Sequence, residues 1–311
     1  MTNIPHPQTR LRTTSLGALL LAATGATQTP AEEPTQQAPE AEAASHRFYA
    51  FHNSMRGKAA QTPAEQADLL AELGYQGFEG HNLDELPQLV AALHERKLEL
   101  STIYFRVDID GKAEPYDPRI ARYLATFLHG TGVILTVHLH SKRYGPSDPA
   151  GDAQAVPILQ ELADLAHAHG AKVAVYNHVN QWAESIDDGI RLSQKVNRRN
   201  FGAAFNLCHW LRLEGDRDLQ ARLDAIQPYL LSVTLCGADG GPEAKGAGWD
   251  RLIQPLDQGS FDNLELLKAL IARGYRGPIG LQCYNIALPA RELLTRSMTA
   301  WLELQRRLRS D

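Results

Sequence analysis

Four apolar runs in the second half of the chain each end in polar side chains able to do chemistry: Val173–His178, Phe201–His209, Val233–Gly237 and Ile279–Tyr284. Helix-length segments separate them. A chain that alternates short apolar strands with helices and carries its reactive groups at the strand ends fits a parallel α/β barrel, in which such ends converge on one mouth. The same alternation extends upstream. Strands are expected near Phe48–His52, Gly77–Glu79, Glu99–Arg106, Gly132–His140, Lys172–His178, Gly202–Cys208, Leu230–Cys236 and Ile279–Tyr284.

Between them lie segments whose apolar residues recur at three and four positions, as in amphipathic helices. Thr62-Pro63-Ala64-Glu65 reads as an N-cap, a helix-opening proline and a capping-box acid. Further helices are expected over Leu83–Lys97, Pro118–His129, Asp152–His169, Ile186–Val196, Leu219–Ala225, Phe261–Arg273 and Pro289–Arg309. Gly74, Gly170 and Gly274 each follow a helix, where a left-handed cap favours glycine. Eight strand–helix units over residues 45–311 predict a single (β/α)8 TIM barrel. A doubly wound open sheet is the rival, but no Gly-x-Gly-x-x-Gly follows the first strand.

The N-terminus predicts something else. Arg10 and Arg12, the apolar stretch Leu16–Ala23 and the small residues Thr24-Gly25-Ala26 have the order of an export signal over residues 1–26. The stretch is too short to span a bilayer as a mature helix, and no cysteine follows it to carry a lipid, so no membrane anchor is expected after cleavage. Residues 27–44, rich in Pro, Glu, Gln and Ala, have nothing to bury and are expected to be a disordered linker. The expected location is therefore periplasmic or extracellular.

A formal charge of −5 with no basic run argues against a nucleic-acid partner. Cys208, Cys236 and Cys283 cannot form a complete disulfide framework; all stand at strand ends, where small soft residues pack near a barrel centre.

Residues two apart on a strand share a face. If the faces bearing His52, Glu79, Tyr104, Arg106, His138, His140, Tyr176, His178, Asn206 and Gln282 point inward, imidazoles, one carboxylate and one arginine meet at the mouth, with His209 just beyond. His178 and His209 titrate near neutrality and suit proton transfer next to a carbonyl, with Glu79 or Arg106 orienting the substrate. Asn177, Asn206 and Gln282 offer amides to hydroxyl groups, and Tyr176, Trp210 or Tyr284 offer rings to the apolar face of a sugar. His52 and Tyr104 complete the expected binding set. The glycine-rich segment 237–249 reads as a lid or as a mobile surface loop.

Four segments in order then resemble the xylose isomerase-like TIM-barrel superfamily, the sugar isomerase and epimerase group that also contains hydroxypyruvate isomerases and endonuclease IV. They are Gly74-Tyr-Gln-Gly-Phe-Glu79, Asn206-Leu-Cys-His209 where such enzymes carry Asp-x-x-His, Pro255-Leu-Asp-Gln-Gly-Ser-Phe-Asp262, and Gly274-Tyr-Arg-Gly-Pro-Ile-Gly280. The resemblance implies a metal set of glutamate, aspartate, histidine and glutamate on strands five to eight. In this chain those positions are Tyr176, Asn206, Thr234 and Gln282, and the histidine of Asp-x-x-His is His209.

Neutral phenol, amide and hydroxyl groups do not hold a divalent ion as carboxylates and imidazoles do, so the family-type metal is not expected and the cofactor is left unknown. The resemblance implies a small-molecule carbohydrate as partner and an exported isomerase or epimerase, or a related hydratase or lyase acting on a keto-sugar. Two alternatives stay open. One is a sugar-binding barrel without catalysis; the other is an ion moved to His138, His140, His178 or His209, with Glu79. A nuclease would need many more ligands than remain.

Overall fold

The computed structural model describes residues 46–55 and 62–310. The expected signal peptide and linker lie outside the described residues.

Eight parallel strands close in sequence order: β1 Phe48–Ala50, β2 Gly77–Gly80, β3 Glu99–Asp108, β4 Ile134–His140, β5 Lys172–Tyr176, β6 Phe201–Asn206, β7 Leu230–Leu235 and β8 Ile279–Leu281. Closure is made by β1 on β8, with Phe48 opposite Ile279 and Ala50 opposite Leu281. The helices are α1 Pro63–Glu72, α2 Leu86–Glu95, α3 Arg119–Ala125, α4 Asp152–Ala168, α5 Ile186–Val196, α6 Leu207–Glu214, α7 Leu219–Ile226, α8 Trp249–Leu252, α9 Asn263–Ala272 and α10 Ala290–Ser310. The expected TIM barrel is the observed fold.

Local chemistry accounts for the helix ends. The Thr62 side chain accepts from the Glu65 amide, and the Glu65 carboxylate accepts from the Thr62 amide at 3.0 Å, completing the box that opens α1. Ser185 and Asp188 form the same device at α5. Gly74, Gly170 and Gly274 have φ of 82°, 74° and 74°, the left-handed caps expected of them.

The core has two layers. The larger lies between the outer faces of the strands and the helices. It holds all three cysteines, each a buried free thiol, so they pack behind the strands and not at the barrel centre. The smaller fills the barrel itself with Tyr49, Phe51, Tyr176 and Ala204, and Tyr104 packs against it. Gly280 makes room for this inner layer: a Cβ there would lie 2.5 Å from Tyr49 Cζ and 2.6 Å from Phe51 Cε1. The inner rings plug the barrel, so the strand-end side chains meet above a solid floor.

Strand six departs from expectation. The run Phe201–His209 continues as strand only to Asn206, which starts α6 with extended backbone angles. The apolar spacing Leu207, Trp210, Leu211 and the stop at Gly215 (φ 73°) are helical signals inside an otherwise strand-like run. The change of period redirects every side chain after Asn206.

Candidate active site

Above the inner layer lies a cavity of about 310 Å³, a size suited to a small organic ligand. Its walls include His52, Glu79, Tyr104, Tyr176, His178, His209, Gln282 and Tyr284 from the expected set. Phe51, Asn53, Trp249 and Ile253 were not expected and line it too. Among the described lining residues there is no Lys or Arg.

Aromatic rings form a belt around the mouth. His52 stacks on His81 at 4.2 Å, Tyr104 meets Tyr176 edge to face at 5.2 Å, and His178 packs on His209 at 4.2 Å. Trp249 closes the belt, roughly perpendicular to His209 at 5.0 Å, with the Arg212 guanidinium 4.7 Å over its ring.

The two histidines on the β5–β6 side have opposite protonation patterns, and the backbone of one residue, Val179, sets both. His178 Nδ1 lies 2.9 Å from the Val179 carbonyl oxygen, which only accepts, so Nδ1 carries the proton. The Val179 amide donates to His209 Nδ1 at 3.1 Å, so that nitrogen is bare and the proton of the neutral ring sits on Nε2. Burial lowers the pKa of His178, and burial with the neighbouring His178 and Arg212 lowers that of His209 well below the usual value. Both rings are therefore neutral near pH 7. His178 presents a lone pair at Nε2, and His209 presents an N–H.

A second dyad faces them. His52, just after β1, is 2.7 Å from Glu79 Oε1 on β2, and Thr102 donates to Glu79 Oε2 at 3.3 Å. Only 1 % of the Glu79 side chain is exposed, against 30 % for His52. In a closed ring of eight strands β1 stands opposite β5 and β2 opposite β6, so the two dyads face each other across the mouth. Glu79 is thus paired with His52, whereas Arg106 pairs with Asp108.

Gln282 is the third fixed group. The backbone amides of Cys283 and Tyr284 donate to its Oε1 at 2.9 and 3.0 Å, and Asn53 Nδ2 donates to the same oxygen at 2.6 Å. This fixes the amide orientation, and Nε2 then donates to the Tyr176 hydroxyl oxygen at 3.1 Å.

A family model described as xylose isomerase-like TIM barrel matches residues 67–305. The chain belongs to the xylose isomerase-like TIM-barrel family. Over 151 residues it is 28 % identical to a 3-dehydroshikimate dehydratase of Pseudomonas aeruginosa, a match covering 45 % of this chain and 23 % of that protein. The chain thus spans under a quarter of the length of this curated relative. It is similar in fold to the 3-keto-D-glucoside 4-epimerase of E. coli, with a TM-score of 0.65 and 17 % identity over 83 % of this chain and 99 % of the other. A probable 3-DHS dehydratase from Bacillus anthracis matches with a TM-score of 0.63 and 14 % identity, over 82 % and 98 % of the two chains.

The residues at this family's metal positions do not fit a divalent ion. Tyr176 and Gln282 are bonded to each other, and Asn206 and Thr234 are buried and neutral. Among the described residues no three His, Cys, Asp or Glu side chains gather as a metal site. That includes the shifted site considered for His138 and His140. The His140 Nδ1 is held by Gln181 at 3.2 Å, and the His138 ring stacks on Tyr104 at 4.7 Å. Burial, with help from His178 and Arg106, pushes the His138 pKa down to about 3.

Four expected binding residues stand elsewhere. Trp210 follows the turn of α6 into the outer core against Phe205, and Trp249 lines the cavity instead. Asn177 points away from the mouth and accepts the Asn206 backbone amide at 3.1 Å. Asn206 is buried below the cavity, its Oδ1 taking the Cys208 thiol at 3.3 Å. Arg106 is 45 % exposed and pairs with Asp108 at 3.0 Å outside the cavity. Tyr284 lies at the rim.

His81, just past the end of β2, stacks on His52 outside the cavity lining and is not signalled by strand alternation. The 237–249 segment is tied down by backbone bonds. Gly237 exchanges backbone bonds with Gln254, the Asp239 amide bonds to Arg251, and the Gly246 amide bonds to Arg212 at 2.8 Å. Anchored this way, it delivers Trp249 to the cavity wall.

Proposed function

We propose that this chain is an exported carbohydrate-active enzyme that moves a proton next to the carbonyl of a sugar or keto-sugar without a metal ion. The observation that carries the reading is the opposite tautomers of His178 and His209. A base with a free lone pair beside a neutral N–H donor is the pair needed to take a carbon-bound proton while holding the carbonyl oxygen. Return of the proton by His178 gives isomerisation or simple exchange. Return from the His52–Glu79 side gives inversion, and loss of a hydroxyl on the next carbon gives dehydration.

Both reaction names found among the relatives, dehydratase and epimerase, fit chemistry that starts with such a proton. A lining without Lys or Arg suits an uncharged sugar better than a phosphorylated one. Tyr104, Trp249 and Tyr284 supply rings for its apolar face. Export, read from Arg10, Arg12 and Leu16–Ala23, belongs to the same proposal.

Incubation with a panel of sugars and keto-sugars in heavy water tests it by mass spectrometry. Deuterium enters a carbon next to the carbonyl with the wild type and not with H178Q. No incorporation across the panel defeats the reading. The neutral residues at all four family metal positions favour one second reading, a sugar-binding barrel without turnover. Saturable binding of a sugar with no exchange would establish it.

A further inference from the structure

The direction of each hydrogen bond around Tyr176 can be assigned from backbone groups alone. The Cys283 amide donates to Asn53 Oδ1 at 3.1 Å, which turns Asn53 Nδ2 toward Gln282 Oε1. The Cys283 and Tyr284 amides also donate to that oxygen, so the Gln282 amide cannot be reversed without opposing donor to donor. Gln282 Nε2 must then donate to the Tyr176 hydroxyl oxygen. The Tyr176 proton is left over. Among the described residues it has no acceptor, and the side chain lines the cavity.

We infer that the Tyr176 O–H and the His209 Nε2–H together form an oxyanion hole at the place where relatives would put a metal. The relay from two backbone amides through Gln282 presents a donor where a cation site would present acceptors. The Tyr176 and His209 ring centres are 6.0 Å apart, and those of Tyr176 and His178 6.3 Å. One small ligand can therefore touch all three. Burial above all, then Cys208, Tyr104 and Glu79, raises the pKa of Tyr176, so it keeps its proton. The carboxylate that lines the cavity, Glu79, is engaged by His52 and Thr102.

The inference rests on the proton-transfer reading and gives that reaction its electrophile. His178 Nε2 takes the proton from the carbon beside the carbonyl. The C–H electron pair becomes the new C=C bond, and the C=O π pair moves onto oxygen, where Tyr176 and His209 hold it. Reversal returns the proton, and no oxidant or further reactant is needed. Gln282 acts through Tyr176 and is a positioning residue.

The test uses 4-nitrophenol, a ring-sized oxyanion probe, titrated into the whole protein at a pH equal to the probe's own pKa. Wild type is expected to bind it as the yellow phenolate, so the phenolate band grows with protein. Y176F, which removes one oxygen and keeps the ring, should lower the preference for phenolate over phenol by about tenfold or more. Q282E, whose carboxylate would accept the tyrosine proton and turn the donor away, should do the same and serves if Y176F does not fold. Wild type that binds no probe, or binds it without growth of the band, overturns the inference. So does a phenolate preference unchanged in the variants. The outcome is independent of the heavy-water experiment. A barrel that exchanges no deuterium can still bind phenolate, and one that does exchange it can fail to.

Discussion

Lowering the pH from 7 to 5 should destabilise this barrel, and His138→Phe should remove a measurable share of the loss. His138 has a folded pKa of about 3 against an ordinary value of 6.5, because burial and its neighbours disfavour the charged ring. A folded pKa below the unfolded one means the unfolded chain binds the extra proton. Stability is then full above pH 6.5, falls as the pH drops below it, and stops falling only near the folded pKa. Between pH 7 and 5 this one ring contributes a loss of about 2 kcal/mol, from 2.303RT per pH unit over the window in which only the unfolded ring is charged. Phenylalanine keeps the stack on Tyr104 and removes an Nδ1 that is buried without a partner, so the variant should be at least as stable at pH 7. Urea unfolding of both proteins at the two pH values measures the difference. The wild type should lose about 2 kcal/mol more than the variant, and a residual loss in the variant reports His178 and His209, whose pKa values are lowered too. Equal losses in the two proteins would refute the assignment of a neutral, buried ring.

Three further outcomes follow from the packing and the donor set. Gly280→Ala forces a methyl against Tyr49 and Phe51 and should cost about 1–3 kcal/mol, read as a drop in thermal midpoint; an unchanged midpoint would mean the inner layer is loose. Trp249→Ala removes the wall beside His209 and should weaken binding of the exchanging sugar by about tenfold in calorimetry, leaving the fold intact by circular dichroism. Dialysis against a chelator should change neither the thermal midpoint nor the exchange rate, whereas activity lost and then restored by zinc or manganese would contradict the unfitness of Tyr176, Asn206, Thr234 and Gln282 as ligands.

The fold was legible because its signals are local and repeated. Alternation of strand and helix periods, the Thr62–Glu65 box and the glycines after helices each act within a few residues, and the barrel is their sum. Period-two alternation on strands two, three, five and eight grouped Glu79, Tyr104, Tyr176, His178 and Gln282, which line the cavity, whereas the same alternation on strand four put His138 and His140 on a face that does not line it. Alternation fails where a strand gives way to a helix without a turn. At Asn206 the angle between successive side chains changes, which sent Trp210 into the outer core while His209 still reached the mouth.

Groups brought in by long loops were beyond local reading. Trp249 arrives on α8 only because backbone bonds fold the preceding segment against Gln254, Arg251 and Arg212, and no short-range pattern encodes those. The tautomers were hidden for the same reason. They depend on the Val179 backbone, whose carbonyl meets the adjacent His178 ring but whose amide reaches His209 only through the fold.

Nitrogen-15 NMR of the histidine rings tests the central claim most directly. At pH 7 the account predicts two neutral rings of opposite kind, His178 protonated at Nδ1 and His209 at Nε2, identified by their loss in H178Q and H209Q. Two rings of the same tautomer, or either ring charged, would contradict it.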